Sequence, residues 1–278
     1  MTRCLLLINE PGSGPWNMAM DEFCATHAER EDVPILRLYR WREPTLSLGY
    51  FQRYQDYQRH RLNGLCPVVR RPSGGGAILH DLEWTYSLAF PTSRVTDRDR
   101  LSFYRAVHQT ILTWLDSLGL KGEIIQEQPP PCKSNNTDCA FLCFQRRAVG
   151  DVVVPLSPEM HTLVSAGATG EPVPTDVKIV GSAQRRYKNT VLQHGSILLG
   201  RSVLTPELPG VMEILASKGI QLTHDEISYH FVSHWPQTVA RALGWRLQPW
   251  TLSLTDSPKF AELEAKYLSR AWTCKSQA

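Results

Sequence analysis

Two short segments carry residue types from which a reaction could be built. The first is Arg70-Arg71-Pro72-Ser73-Gly74-Gly75-Gly76-Ala77-Ile78-Leu79-His80-Asp81. Three consecutive glycines after a strand-like run let the backbone approach a ligand closely and turn its N–H groups toward an anion or a carbonyl. Arg70 and Arg71 have the fork geometry to pair with phosphate or carboxylate. Taken alone, a triple glycine is more often a turn than a site, and the spacing matches neither a P-loop nor a dinucleotide fingerprint. The second segment is Lys178-Ile179-Val180-Gly181-Ser182-Ala183-Gln184, followed by Gln193-His194-Gly195-Ser196. Strict alternation puts Lys178, Val180, Ser182 and Gln184 on one face, where a lysine opening a charge-poor run would point into a pocket. A solvated lysine at a strand end is the plainer reading of the same pattern. His80 and His194 have the chemistry of an acid or base, and equally that of hydrogen-bonded structural imidazoles.

The elements that must position these segments follow from periodicity. The first ten residues read as a strand, and Asn17 to about Arg30 as a helix capped by Asn17. Alternating runs at Ile35–Trp41, Thr45–Phe51, Cys66–Arg71 and Trp84–Phe90 predict strands of one sheet. Leu101, Tyr104, Val107, Ile111, Leu112 and Leu115 mark a helix over 99–118 that Gly119 stops. Asp151–Val154 is a short strand, and Lys178–Tyr187 with Thr190–Leu199 form a hairpin around Lys188-Asn189. Between them, about 155–177 is rich in Pro, Gly, Ser and Thr without periodicity, which predicts an irregular exposed insertion. Helices follow at 208–218, 225–243 and 258–269. Strands first and helices gathered at the end predict an α+β fold, a single domain over 1–278 with a mixed, largely antiparallel sheet flanked by helices.

Composition narrows the function classes. The 278 residues are 42% hydrophobic and 21% charged, enough to bury a substantial core. Thirty Lys and Arg against 27 Asp and Glu leave a net charge of +3 without a basic track, so nucleic acid is not an expected partner. The apolar stretch after Met1 is too short for a secretory leader and no segment is long enough for a membrane span, so the cytosol is the expected compartment. Seven cysteines, at 4, 24, 66, 132, 139, 143 and 274, make an odd set without C-x-x-C pairs. Neither a disulfide framework nor a metal site is predicted from them.

Taken together, the segments resemble the biotin and lipoate protein ligase superfamily, in its lipoate branch. The resemblance begins at Trp16-Asn17-Met18-Ala19-Met20-Asp21-Glu22 and continues through Pro44-Thr45-Leu46-Ser47-Leu48-Gly49-Tyr50-Phe51-Gln52. It takes in both motifs above and the helical end near Trp272, so it spans nearly the whole chain. It implies an acyl pocket lined by Arg71, Ser73, Gly74, Gly75, Gly76, Ala77, Ile78, His80, Gly181, Ser182, Ala183, Gln184, His194 and Gly195.

Within the superfamily, ligases activate free lipoate with ATP, whereas octanoyltransferases take octanoyl from acyl carrier protein through a cysteine thioester. Lipoate ligases usually carry a small additional C-terminal domain, which is not expected here. Cys143-Phe144, eight residues before Asp151, resembles the Cys-Phe pair of the Gram-positive type octanoyltransferase. The carry-over makes Cys143 the nucleophile and Lys178 its partner; Cys139 and Cys132 fit less well. An ammonium beside the thiol would raise the thiolate fraction. The resemblance then implies octanoyl-acyl carrier protein as donor and, as acceptors, lipoyl domains of 2-oxoacid dehydrogenases or the glycine cleavage H protein, with no cofactor. Two other readings stand: a lipoate-protein ligase working through lipoyl-adenylate with ATP and Mg2+, and a non-catalytic binder of acylated carrier.

Overall fold

The computed structural model describes residues 1–94, 100–128, 141–156, 175–252 and 257–275. Eight strands form the main sheet in the order β11 (Trp245–Pro249), β1 (Thr2–Ile8), β2 (Ile35–Tyr39), β6 (Glu83–Pro91), β10 (Thr190–Leu198), β9 (Asp176–Arg186), β8 (Val152–Pro155) and β7 (Glu123–Ile124). β1 runs parallel to both neighbours; every other pair is antiparallel.

The expected single sheet is in fact two. β3 (Thr45–Leu48), β4 (Val68–Arg70) and β5 (Ile78–His80) form a separate three-stranded sheet, and both ends of the glycine motif belong to it. The insertion is also shorter than expected at its edges: Pro155 pairs with Asp176 and Val154 with Val177, so these residues extend the β8–β9 ladder. The rest of that stretch, 157–174, lies outside the described residues.

Period-two alternation sorts the central strands onto two faces. Leu36, Leu38, Tyr86, Leu88, Val180 and Ile197 pack on one face against α3 (Arg100–Ser117), α4 (Val211–Ser217) and α5 (His224–Ala242). Ile35, Tyr39, Ala89 and Leu192 pack on the other against α1 (Gly14–Glu31) and α6 (Pro258–Leu268). Further elements are α2 (Tyr54–Arg59) and α7 (Arg270–Thr273). Helix α1 starts earlier than predicted: Ser13 is its cap, accepting from Trp16 N, and Pro15 sits in the first turn. Asn17 is buried inside it and donates from Nδ2 to the carbonyls of Gly12 and Arg40. Among the described residues no helix is long and apolar enough to cross a membrane.

Candidate active site

The thiol is held in place by the glycine motif. Cys143 opens a 3-10 turn over Cys143–Gln145, and the chain leading into it lies alongside Ala77. Ala77 N donates to Phe141 O at 2.9 Å and Cys143 N donates to Ala77 O at 2.7 Å. A Cβ on Gly76 would stand 3.0 Å from both Cys143 N and Phe141 O, so the two strands of backbone meet this closely because the side chain is absent. Gly75 adopts φ +93°, and a Cβ there would lie 2.9 Å from Arg71 Nη2.

Lys178 reaches the thiol from β9 through a bulge. Val153 pairs with Lys178 but Val152 pairs with Val180, which leaves Ile179 as an extra residue. The bulge breaks the alternation that sequence predicts. Val180 turns to the helix-covered core, while Lys178 and Gly181 share the thiol's side: a Cβ on Gly181 would stand 2.6 Å from Lys178 Cε and 3.7 Å from Cys143 Sγ. Ser182 and Gln184 fall on the core side, where Ser182 meets Tyr86 and His108 and Gln184 donates to Gln193. Lys178 Nζ lies 2.8 Å from Asp151 Oδ2, 3.2 Å from Cys143 O and 3.4 Å from Cys143 Sγ. The solvated-lysine reading fails, since the Lys178 side chain is 3% exposed. Burial pushes the Asp151 carboxyl above the usual carboxylate range, against the opposing pull of Lys178.

Cys143 stands at the junction of two spaces. Outside is an open basin of about 1390 Å3 lined by Lys178, Asp151, Tyr104, Arg146, Gly76 and Gln184. Inside is a mostly apolar cavity between the two sheets, about 420 Å3 with the open space at its mouth included. Its floor is a row of cross-strand partners, Gly181, Ser196, Thr85 and Tyr39, one from each of β9, β10, β6 and β2. Three interstrand steps make that row about 14 Å long. Small residues floor the near part; Tyr39 and Trp41 close the far part. The Trp41 ring stacks on His80 at 3.9 Å and its Nε1 donates to Thr85 Oγ1 at 2.9 Å. Arg71, Gly74, Gly75, Ile78, His80, Ser182, Ala183, His194 and Gly195 also line this cavity. Ala77 does not; it faces a smaller space behind Ile78.

The two arginines do other work than sequence suggested. Arg71 is buried and donates to the carbonyls of Ser47, Gly74 and Gly76. Arg70 donates to Gly49, Tyr50, Gln52 and Thr273 carbonyls. Both hold the loop around the cavity by its backbone oxygens. Burial lowers Arg71 to about 10, still charged at neutral pH.

Both histidines have both nitrogens engaged. His80 bonds Ser47 Oγ at 2.7 Å and Glu83 Oε1 at 2.8 Å, and burial holds its ring below the usual imidazole range. His194 meets Ser73 Oγ and, at 3.1 Å, Asp21 Oδ2. Ser73, 1% exposed, therefore reaches the cavity through His194. Burial would raise Asp21, but Arg37, 2.6 Å away, and His194 outweigh it and keep the carboxyl low.

Sequence reasoning missed Asp151, His108 and the Asp21–Arg37 pair. His108 had a signal: Tyr104, Ile111 and Leu115 stand at i−4, i+3 and i+7 from it, which puts it on the buried side of α3. Cys132 and Cys139 lie outside the described residues.

The family model "Lipoyl protein ligase A/B catalytic domain" matches residues 13–223. An octanoyltransferase LipM of Kyrpidia tusciae is 32% identical over 294 residues, covering 96% of this chain and 97% of the relative. An octanoyltransferase LipM of Staphylococcus aureus is 34% identical over 205 residues, covering 71% of this chain and 67% of its own. Among solved structures, a chain of the Thermoplasma acidophilum lipoylation system, a bi-partite lipoate protein ligase and its E2 lipoyl domain, matches with a TM-score of 0.65 at 21% identity, over 100% of this chain and 98% of that one. Lipoate-protein ligase A bound with ATP gives the same score and identity over 98% of each chain. At such identity these two structures speak for the fold.

Proposed function

The chain belongs to the lipoyl protein ligase A/B catalytic-domain family, and we propose that within it the protein is an octanoyltransferase that carries its acyl group on Cys143. One observation carries the choice: a thiol 3.4 Å from an ammonium, placed where a mostly apolar cavity meets an open basin. An extended eight-carbon acyl chain spans about 10 Å, so it fits the row from Gly181 to Tyr39. Burying about six methylenes supplies about 5 kcal/mol, enough to hold the acyl group while one carrier leaves and another arrives. The same reading takes residues 1–278 as one catalytic domain, with an insertion between Leu156 and Thr175.

The donor is octanoyl-acyl carrier protein. The Cys143 thiolate attacks its thioester carbonyl; the Sγ–C bond forms, the donor's C–S bond breaks, and the departing thiolate takes a proton from Lys178 Nζ. The acceptor is the lysine of a lipoyl domain or of the glycine cleavage H protein, arriving through the basin as a neutral amine. Its nitrogen attacks the acyl-enzyme, Lys178 recovers the proton, and Cys143 leaves as thiolate. In the first step the ammonium stands beside the reacting carbonyl until it gives up its proton, and in the second the neutral Lys178 amine serves as the base.

The test is one incubation. Protein mixed with octanoyl-acyl carrier protein, without ATP, is expected to gain one octanoyl mass that hydroxylamine removes, and Cys143→Ala to gain none. Loading in the alanine variant, or transfer to apo-acceptor that requires ATP, would overturn the assignment; the second outcome selects the ligase reading, which leaves the Cys143 thiol without a task.

A further inference from the structure

On the helix-covered face of β9, side chains form an unbroken hydrogen-bonded line. Gln184 Nε2 donates to Gln193 Oε1 at 2.8 Å, and Gln193 Nε2 to the Tyr86 hydroxyl at 3.0 Å. The Tyr86 and Ser182 hydroxyls are 2.7 Å apart, and Ser182 Oγ is 2.7 Å from His108 Nε2. His108 Nδ1 ends the line 2.6 Å from the Gly150 carbonyl. A carbonyl oxygen only accepts, so Nδ1 carries the hydrogen. Burial lowers His108 to about 4, so the ring is neutral and Nε2 accepts. Ser182 spends its single hydrogen on Nε2, and Tyr86 must then donate to Ser182. Every donor in the line points toward Gly150.

The carbonyl at its end belongs to the peptide that joins Gly150 to Asp151. Gly150 sits at φ +94°, and a Cβ there would stand 2.5 Å from the Tyr104 ring. Asp151 Oδ2 accepts from Ala148 N at 2.7 Å and holds Lys178 Nζ at 2.8 Å, and Lys178 holds the thiol. We propose that His108 is a positioning residue for the thiol site: its Nδ1–H fixes the Gly150–Asp151 peptide, which aims Asp151 at Lys178 and so sets Lys178 against Cys143. The line from Gln184 fixes the ring by occupying Nε2.

The two nitrogens can be tested separately, because the amide of asparagine places an N–H near Nδ1, whereas that of glutamine places its polar atoms near Nε2. The readouts are the rate of iodoacetamide alkylation at the Cys143 peptide and kcat against KM for octanoyl loading, with folding checked by urea unfolding. His108→Gln is expected to slow alkylation and kcat about tenfold with little change in KM, and His108→Asn to stay within about threefold of the native rates. Equal rates in the two folded variants overturn the proposal. Should the glutamine variant not fold, the asparagine variant decides alone, and a tenfold loss in it is equally fatal. The proposal rests on Cys143 as the reacting thiol, but alkylation needs no acyl donor. A native protein that refuses octanoyl would remove the transferase reading and leave this test standing.

Discussion

The Lys178 ammonium has three N–H bonds and three acceptors within 3.4 Å, namely the Asp151 carboxylate, the Cys143 carbonyl and the Cys143 sulfur. Structural and chemical roles are therefore superposed on one residue, and a single substitution confounds them. Lys178→Met removes the charge beside the thiol and also strands a buried carboxylate. Losing one partner of a buried pair costs about 3 kcal/mol or more, so the variant is expected to unfold at lower urea and to form acyl-enzyme slowly. Adding Asp151→Asn removes the stranded charge. The double variant should regain most of the stability and none of the acylation rate; if acylation returns with stability, the lysine acts only as scaffold. Cys143 and Lys178 were legible in sequence because each lies in a motif that resembles the lipoate branch. Asp151 was not, because a carboxylate opening a short strand looks like a solvated turn residue until its partner on β9 is known.

At the scale of elements, the hairpin of β9 and β10 and the helix α3 follow from periodicity, and the structure has both. What periodicity could not supply is how strands associate. β11 went unpredicted: Trp245-Arg246-Leu247-Gln248-Pro249 is an exposed edge whose pairing is parallel to β1 at the other end of the chain. The bulge at Ile179 was equally invisible, yet it alone turns Lys178 and Gly181 to one side. The separation of β3, β4 and β5 into a second sheet is what opens the cavity between the two. Because that cavity crosses strands at a fixed spacing, its length is set by which strand carries the first large side chain. Tyr39 on β2 ends the row, and Trp41 just beyond it, stacked on His80 and bonded to Thr85, closes that end with it. Trp41→Ala should lengthen the cavity and move preference from octanoyl to decanoyl donors by about tenfold, as two more methylenes at about 0.8 kcal/mol each imply. The hydroxylamine-labile masses formed from mixed eight-, ten- and twelve-carbon donors report the ranking directly; an unchanged ranking would place the stop elsewhere.

For the whole molecule, the site's buried imidazoles make folding itself sensitive to mild acid. His108 is lowered from the ordinary 6.5 to about 4, with burial the main cause, and burial lowers His80 as well. A lowered imidazole resists protonation in the folded chain but not in the unfolded one. As pH falls below about 6.5 the unfolded chain takes up the proton first, so stability is fully present above that point and drains until the folded ring protonates near 4. The carboxylates do not set this window. Asp21, held low by Arg37 and His194 against its burial, loses its contribution only further down, and Asp151, raised by burial, works in the opposite direction. Between about pH 7.5 and pH 5, His108 alone should cost about 2 kcal/mol of unfolding free energy. Urea unfolding at the two pH values measures it. His108→Asn replaces the titrating ring with an amide, so that variant starts less stable at the higher pH but should lose less on acidification, by about the same 2 kcal/mol. Parallel slopes in the two proteins would mean that the acid sensitivity resides in another imidazole such as His80, and that His108 is not held neutral by its burial.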